Sequence, residues 1–172
     1  GYQSLVGSLL WCSRNVFAEC SLGTSFLCRL MSRPNKRAWD AGIHMLKWLR
    51  DNKSRGLRFS SDGNMQPIGF SDASNEDDPL DGLVQAGHCV MMAGGPVIYN
   101  SAKLKHVAPT GATSHVEYMS ICECNRNVIW LRQLLAELHR YDIIDSPTIV
   151  YGDNEQANRL CSEDLITTGN EY

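Results

Sequence analysis

Three strand-like segments in a row, followed by a long helical stretch and a fourth strand, restrict the chain after residue 57 to few folds. Residues 68–73, 86–92 and 96–101 have strand character, and Gly94-Gly95 predicts a hairpin between the last two. Such a meander forms an antiparallel sheet. Residues 57–60 are expected to add a short strand ahead of it.

The segment after the meander predicts a crossover back to the same sheet. Residues 114–139 carry an apolar stripe at helical spacing, and residues 148–151 form a compact apolar run that predicts a buried strand. A helical crossover makes the last strand parallel to its partner in the sheet. We therefore expect a mixed α/β sheet with flanking helices, in which the last strand lies beside strand 68–73. Residues 155–161 predict a further helix, whereas residues 74–84 and 108–112 predict loops.

The first part of the chain predicts helices only. Residues 2–19 have helical spacing and Pro34 marks a break. Residues 36–52 form an amphipathic helix whose apolar stripe consists of Trp39, Ile43, Leu46 and Leu49. Five basic residues on this second helix are candidates for contact with a phosphate backbone. They are Lys36, Arg37, Lys47, Arg50 and Lys53. The alternative is that these side chains only keep a packed helix soluble.

Charge is divided unevenly along the chain. Residues 1–58 contain ten Lys/Arg against three Asp/Glu, a net charge of +7, whereas residues 59–172 have a net charge of −10, which together give −3. The division is compatible with two separate roles, or with two solvated faces that compensate each other.

Composition excludes some classes of protein. No apolar run approaches the roughly 20 residues of a membrane span, so we expect no membrane partner. The seven cysteines show no CxxC pairs, which favours small buried side chains in a reducing compartment over a zinc site.

Three acids occupy positions where carboxylates could converge. Asp72 and Asp153 lie at or near the ends of strands expected to be parallel neighbours, so their carboxylates would be about 5 Å apart. Glu117 lies in the first turn of the long helix that packs on this sheet. Three such acids stay ionised together only around a cation, and oxygen-only ligands suit Mg²⁺ or Mn²⁺. Two ions in such a site can support phosphodiester hydrolysis.

Each acid also has a structural interpretation. Asp72 could form an Asx turn at a strand end. Glu117 could be the acidic half of a capping box that Ser114 begins. Asp153-Asn154 could be the N-cap of the next helix. The three acids together, in one sheet order, are more specific than any one of them.

Seven motifs, in order along the chain, resemble the C-terminal part of the Pol polyprotein of Ty1/copia-type retrotransposons. They are residues 2–10 (YQSLVGSLL), 39–49 with 56–57, 69–73 (GFSDA), 94–101 (GGPVIYNS), 114–118 (SHVEY), 129–135 (IWLRQLL) and 151–157 (YGDNEQA). The resemblance covers essentially the whole chain.

The resemblance implies a ribonuclease H-like domain over residues 58–172, C-terminally truncated, preceded by a helical thumb or connection segment of reverse transcriptase over residues 1–57. It implies that Asp72, Glu117 and Asp153 are three of the family's four metal-binding acids, holding two Mg²⁺ or Mn²⁺ ions. The segment that carries the fourth acid would follow Tyr172. The implied activity is hydrolysis of the RNA strand of RNA–DNA hybrids.

The implied partners are the hybrid and the rest of the polyprotein, including the reverse-transcriptase palm. The implied location is intracellular, in a cytoplasmic virus-like particle or in the nucleus. An alternative interpretation is an inactive nucleic-acid-binding or structural fragment of a degenerate polyprotein, and a third is a fragment without a role. Cleavage and binding assays on one hybrid would separate the first two.

Overall fold

The computed structural model describes residues 1–74, 84–104 and 113–162 of the chain. The first part contains the helices α1 (Tyr2–Asn15), α2 (Ser21–Arg29) and α3 (Lys36–Asp51), with a 3₁₀ turn over Ala18–Cys20. The second part contains β1 (Ile68–Ser74), β2 (Gln85–Met92), β3 (Gly95–Lys103), α4 (Thr113–Glu137), a 3₁₀ turn over Tyr141–Ile143, β4 (Ile149–Tyr151) and α5 (Glu155–Ser162). The loops expected over residues 74–84 and 108–112 lie almost entirely outside the described residues.

The prediction of one helix over residues 2–19 was wrong, because α1 ends at Asn15 and the chain turns back through α2. The two helices pack through a small core that includes Val6 and Leu27, and the Tyr2 hydroxyl donates a 2.9 Å hydrogen bond to the Leu27 carbonyl. Helix α2 was not predicted, because its Ser, Gly and Thr residues have weak helix propensity and interrupt the apolar spacing.

Helix α3 was predicted over the correct residues, but only part of its expected apolar stripe is buried. Its start is fixed by Asn35, whose side chain accepts a 2.8 Å hydrogen bond from the Ala38 N–H as an N-cap. Ala38 and Leu49 are buried, whereas Trp39 and Leu46 from the expected stripe are 41% and 46% exposed. The buried face follows the small residues, because these allow α1 and α2 to approach closely.

The strand expected over residues 57–60 is absent from the described structure. This segment makes a single backbone hydrogen bond to the β2–β3 turn, in which the Ser60 N–H donates to the Ala93 carbonyl over 2.8 Å. One bond does not make a ladder, so the segment follows the sheet without joining it.

The four-stranded sheet has the order β3-β2-β1-β4. The first three strands are antiparallel neighbours, and β4 pairs parallel with β1, so that Ile68 lies opposite Ile149. The hairpin between β2 and β3 turns at Ala93 and Gly94, both with positive φ (56° and 82°), as two-residue hairpin turns require. This arrangement confirms the predicted mixed α/β sheet with an antiparallel meander and one parallel strand.

Helix α4 covers one face of the sheet. Side chains alternate along β1, so Gly69, Ser71 and Ala73 are buried under α4 while Phe70 and Asp72 project from the opposite face. A Cβ added at Gly69 would lie 2.8 Å from the Val150 side chain, so glycine permits this close approach. The core between sheet and helix contains Val90, Cys124, Val128, Leu131 and Leu135.

The opposite face of the sheet is only partly covered. Helix α2 packs against β3, and the Gln85 amide donates hydrogen bonds to Ser25 of α2 and Ser101 of β3. Strand β4 is not buried as predicted, because it lies at one end of the described sheet and this face is open above it: Ile149 is 57% exposed. Among the described helices, none is long and apolar enough to cross a membrane.

Candidate metal centre

Asp72 reaches the site from the interior of β1. The strand continues to Ser74, so Asp72 lies within a regular strand and the Asx-turn interpretation does not apply. Its side chain is exposed on the open face, two residues after Phe70. At Asp72 the backbone of β1 is paired with Gly87 of β2, and the ladder with β4 ends two residues earlier, at Phe70.

Glu117 comes from α4 and is 5% exposed. Helix α4 already includes Thr113, so Ser114 lies inside the first turn and is not its N-cap. A buried hydroxyl pair next to Glu117 connects α4 to β1. The Ser71 hydroxyl donates to the Ser120 oxygen over 2.7 Å, and the Ser120 hydroxyl donates to the Asp72 carbonyl over 3.0 Å. These bonds fix the helix turn that carries Glu117 against the strand that carries Asp72.

Asp153 lies between β4 and α5, where a neighbouring residue forms the helix cap. The Asn154 side chain accepts a 3.0 Å hydrogen bond from the Ala157 N–H, so Asn154 caps α5 and Asp153 is not needed for this role. The Asn158 side chain of α5 donates a 2.8 Å hydrogen bond to the Gly152 carbonyl. The helix therefore fixes the backbone immediately before Asp153.

These three elements bring the carboxylates together. One oxygen each from Asp72, Glu117 and Asp153 lies within 4.8 Å of the other two. The carboxylates of the two aspartates border a cavity of about 800 Å³ on the open face. Its floor includes the stacked rings of Phe70 and Tyr151, whose centroids are 5.5 Å apart.

Electrostatics within this cluster disfavour three negative charges. Burial, followed by the charges of Asp153 and Asp72, raises the pKa of the Glu117 carboxyl from its ordinary 4.5 to about 7. A hydrogen bond from the backbone N–H of Ala73 acts in the opposite direction. The other Glu117 oxygen, Oε2, is buried and has no hydrogen-bond partner among the described residues.

The donor set and the unpartnered oxygen fit a hard divalent cation. Such an ion would neutralise the mutual repulsion of the carboxylates and would give Glu117 Oε2 the partner it lacks. Carboxylate oxygens are the ligands that Mg²⁺ and Mn²⁺ prefer. An ion held by these oxygens would make metal-assisted chemistry available to this arrangement.

The structure does not bring the five predicted basic residues into this cluster. Four of them are exposed on α3, which packs on α1 and α2, and Lys53 is exposed just after its end; none lines the cavity beside the acids. Lys36 forms an ion pair with Asp40 over 2.6 Å, and Arg50 pairs with Asp51 over 2.8 Å. Both pairs are solvent-exposed and hold their side chains weakly.

Sequence analysis missed the residues that support the acids. Ser120 and Asn158 carry no motif of their own, and only helical spacing connects Ser120 to Glu117, three residues earlier on the same face. That spacing would have suggested a buried neighbour of the acid, although not its partner in β1.

Comparisons with known proteins agree with the sequence motifs. The chain is 28% identical, over 95% of its length, to the retrovirus-related Pol polyprotein from transposon TNT 1-94 of Nicotiana tabacum, and it covers 12% of that protein. Over 71% of its length it is 30% identical to a putative transposon Ty5-1 protein of Saccharomyces cerevisiae, covering 39% of it. Over 76% of its length it is 26% identical to secreted RxLR effector protein 161 of Plasmopara viticola, covering 90% of it. The chain thus spans less than half of either transposon protein.

No protein-family model matches the chain, and no solved structure matches it significantly. Its mixed sheet and flanking helices place the described structure in the ribonuclease H-like class of α/β folds. The chain is a relative of the Pol polyproteins of Ty1/copia-type retrotransposons, as its motifs predicted.

Proposed function

We propose that the chain is the ribonuclease H part of a retrotransposon polyprotein and hydrolyses the RNA strand of RNA–DNA hybrids. The observation that carries this proposal is the cluster of Asp72, Glu117 and Asp153 oxygens within 4.8 Å of one another. The relation to Pol polyproteins supports it, because reverse transcription produces the hybrid that such an enzyme degrades. This role would place the chain inside the cell, in a cytoplasmic virus-like particle or in the nucleus.

The three carboxylates would hold one or two Mg²⁺ or Mn²⁺ ions. Bound ions of this kind supply an activated water molecule and charge neutralisation for the leaving oxygen. The protein contributes the positions of the acids: β1 presents Asp72, α4 presents Glu117 and the β4–α5 junction presents Asp153. Burial of Glu117 excludes bulk water from one side of the cluster and strengthens its interaction with a cation.

The basic residues of α3, together with Lys53 just after it, are the proposed contacts to the phosphate backbone of the hybrid. Phosphate contacts position the nucleic acid and carry no sequence information, which suits a substrate of arbitrary sequence. Selection of RNA over DNA would depend on the 2′-hydroxyl and the groove shape of the hybrid. The rest of the polyprotein, including the polymerase palm, would deliver the substrate.

A cleavage assay on a hybrid with one labelled strand tests this function. The full chain is incubated with Mg²⁺ or Mn²⁺, and the labelled RNA strand is resolved on a denaturing gel. We expect cleavage of RNA but not of a labelled DNA strand, and we expect Asp72→Asn to lower the rate more than about 100-fold, the upper end for changes around a metal site. Asp62→Asn, at an exposed acid outside the cluster, is the matched control and should retain the parental rate.

Two outcomes would contradict the proposal. Equal cleavage by the parent and by Asp72→Asn would show that another site, or another enzyme in the preparation, does the chemistry. Tight hybrid binding without any product would favour the inactive binding module instead.

A further inference from the structure

One sequence motif on α4 has no part in the acid cluster. Within residues 129–132, Ile129 and Trp130 are each 55% exposed, and Leu131 belongs to the core under the sheet. Arg132 is different, because its guanidinium reaches across to the chain segment that leads into β4. The contacts of this arginine therefore indicate a role in holding the segment that leads into β4.

Arg132 makes three hydrogen bonds to the segment before β4. Its Nη1 donates to the Ser146 carbonyl over 2.8 Å and to the Thr148 hydroxyl over 3.0 Å, and its Nη2 donates to the Ile144 carbonyl over 2.9 Å. The planar guanidinium is suited to such a fan of acceptors, since its donors are fixed relative to one another. One side chain thus fixes three alternate positions of the five-residue stretch 144–148.

Of the three acids, Asp153 follows the element with the fewest backbone contacts to the rest of the sheet. Strand β4 has three residues, and β1 is its only partner in the described sheet. Asp72 is carried by a central strand of seven residues, and Glu117 by a helix of 25 residues. After β4, the Asn158 hydrogen bond to the Gly152 carbonyl holds the chain, but before β4 the three bonds of Arg132 are the polar ties that fix its entry.

We propose that Arg132 is a positioning residue for Asp153. The arginine holds β4 in register with β1, so that the Asp153 carboxylate lies close to those of Asp72 and Glu117. The proposal rests on the metal site proposed above. Loss of the guanidinium would free residues 144–148, loosen the short β4 ladder and move Asp153 away from Asp72 and Glu117.

Another arginine of the same helix provides a matched control. Arg126 forms an exposed ion pair with Glu123 on α4 and makes no contact with residues 144–148 in the described hydrogen bonds. Removing Arg126 takes the same charge from the same helix without changing the entry to β4.

The first measurement is hydrogen–deuterium exchange of the full metal-free chain. We expect Arg132→Ala to speed exchange of the β4 amides at least about 10-fold, while β2 and β3 amides exchange as in the parent. Arg126→Ala should leave all of them unchanged. Unchanged β4 exchange in Arg132→Ala, or equally faster exchange throughout the sheet, would overturn the proposal.

The second measurement is calorimetric titration with Mn²⁺ of the parent, Arg132→Ala, Asp153→Asn and the double variant. We expect Arg132→Ala to weaken binding about 10- to 100-fold, as for other residues that orient ligands. In the Asp153→Asn background the same change should have no further effect, because Arg132 acts through Asp153. A full additional loss in that background would overturn the proposal.

The two measurements also separate this inference from the function on which it rests. Faster β4 exchange in Arg132→Ala, together with a parent that binds no Mn²⁺, would refute the metal site but not the anchoring of β4. A parent that binds Mn²⁺ as tightly as Arg132→Ala would refute the positioning role but not the metal site.

Discussion

Replacement of Glu117 by glutamine should stabilise the metal-free protein at neutral and alkaline pH. Glu117 is 5% exposed and lies beside Asp72 and Asp153, so its ionised form is disfavoured in the folded state. Glutamine keeps the size of the side chain and the acceptor for the Ala73 N–H, but removes the charge. The variant therefore isolates the penalty that burial and the neighbouring carboxylates impose on the ionised form of Glu117.

The pKa of Glu117 sets the size and the pH range of this effect. Burial, followed by the charges of Asp153 and Asp72, raises that pKa from 4.5 to about 7. One pKa unit corresponds to about 1.4 kcal/mol, so the full penalty is about 3 kcal/mol. Below pH 4.5 the carboxyl is protonated in both folded and unfolded chains, and there is no penalty. As the pH rises to about 7, the unfolded chain releases the proton first, so the parent loses stability; above that pH the loss is complete.

Urea unfolding in EDTA at a series of pH values measures the effect. The difference in unfolding free energy between Glu117→Gln and the parent should grow from near zero at pH 4 to about 3 kcal/mol at pH 8. Glu123→Gln, at an acid of the same helix paired with Arg126 at the surface, should change stability by less than about 1 kcal/mol. A stability difference that is the same at every pH would show that ionisation of Glu117 is not its cause.

Mg²⁺ should reverse the order of stability of the parent and Glu117→Gln that is expected in EDTA. A ligand that binds only the folded state stabilises it in proportion to the logarithm of its concentration above Kd. The parent should therefore gain more stability from Mg²⁺ than Glu117→Gln at the same concentration. Equal gains would show that Glu117 takes no part in metal binding.

Three further predictions follow from the packing and charge of the described residues. Ser120→Ala should lower the unfolding free energy in urea by about 1–3 kcal/mol, because it leaves the Asp72 carbonyl without its buried donor. The double variant with Ser71→Ala should lose less stability than the sum of the two single variants, and strict additivity would contradict the pairing of the two hydroxyls. Gly69→Ala should lower the stability measured by thermal unfolding by about 1–3 kcal/mol, since its Cβ would lie 2.8 Å from a Val150 methyl. Gly7→Ala, with open space around it, should be neutral or stabilising, and equal effects of the two changes would contradict close packing at Gly69. In filter-binding titrations, alanine at any of the five basic residues on or just after α3 that contacts phosphate should reduce the slope of log affinity against log salt by about 0.7–0.9. Unchanged slopes for all five would exclude this part of the chain from the hybrid interface. The five are Lys36, Arg37, Lys47, Arg50 and Lys53.

The order of elements around the acids could be predicted from the sequence, because it depends on local signals. Short apolar or alternating runs predict strands. The handedness and direction of a crossover connection then restrict where the following strand can lie in the sheet. The place of β4 beside β1 was therefore expected, and the convergence of Asp72 and Asp153 followed from it. Glu117 could be placed only because its helix had to pack on the same sheet.

Features set by tertiary packing could not be predicted in this way. The sequence of α3 offers two overlapping stripes, and the choice of the one with Ala38 and Gly42 depends on how closely α1 and α2 approach. Helix α2 exists because it completes the core around Val6 and Leu27, and not because its sequence favours a helix. The hydrogen bonds of Arg132 connect α4 to the segment before β4, and no local sequence pattern predicts a contact between separate elements.

Anomalous diffraction at the manganese absorption edge, from a crystal of the full chain soaked in Mn²⁺, would show directly whether the three carboxylates hold the ion. We expect an anomalous peak about 2.0–2.2 Å from carboxylate oxygens of Asp72, Glu117 and Asp153, the distance usual for small octahedral divalent ions. Density showing the three carboxylates far apart, or manganese bound only at other acids of the surface, would contradict it.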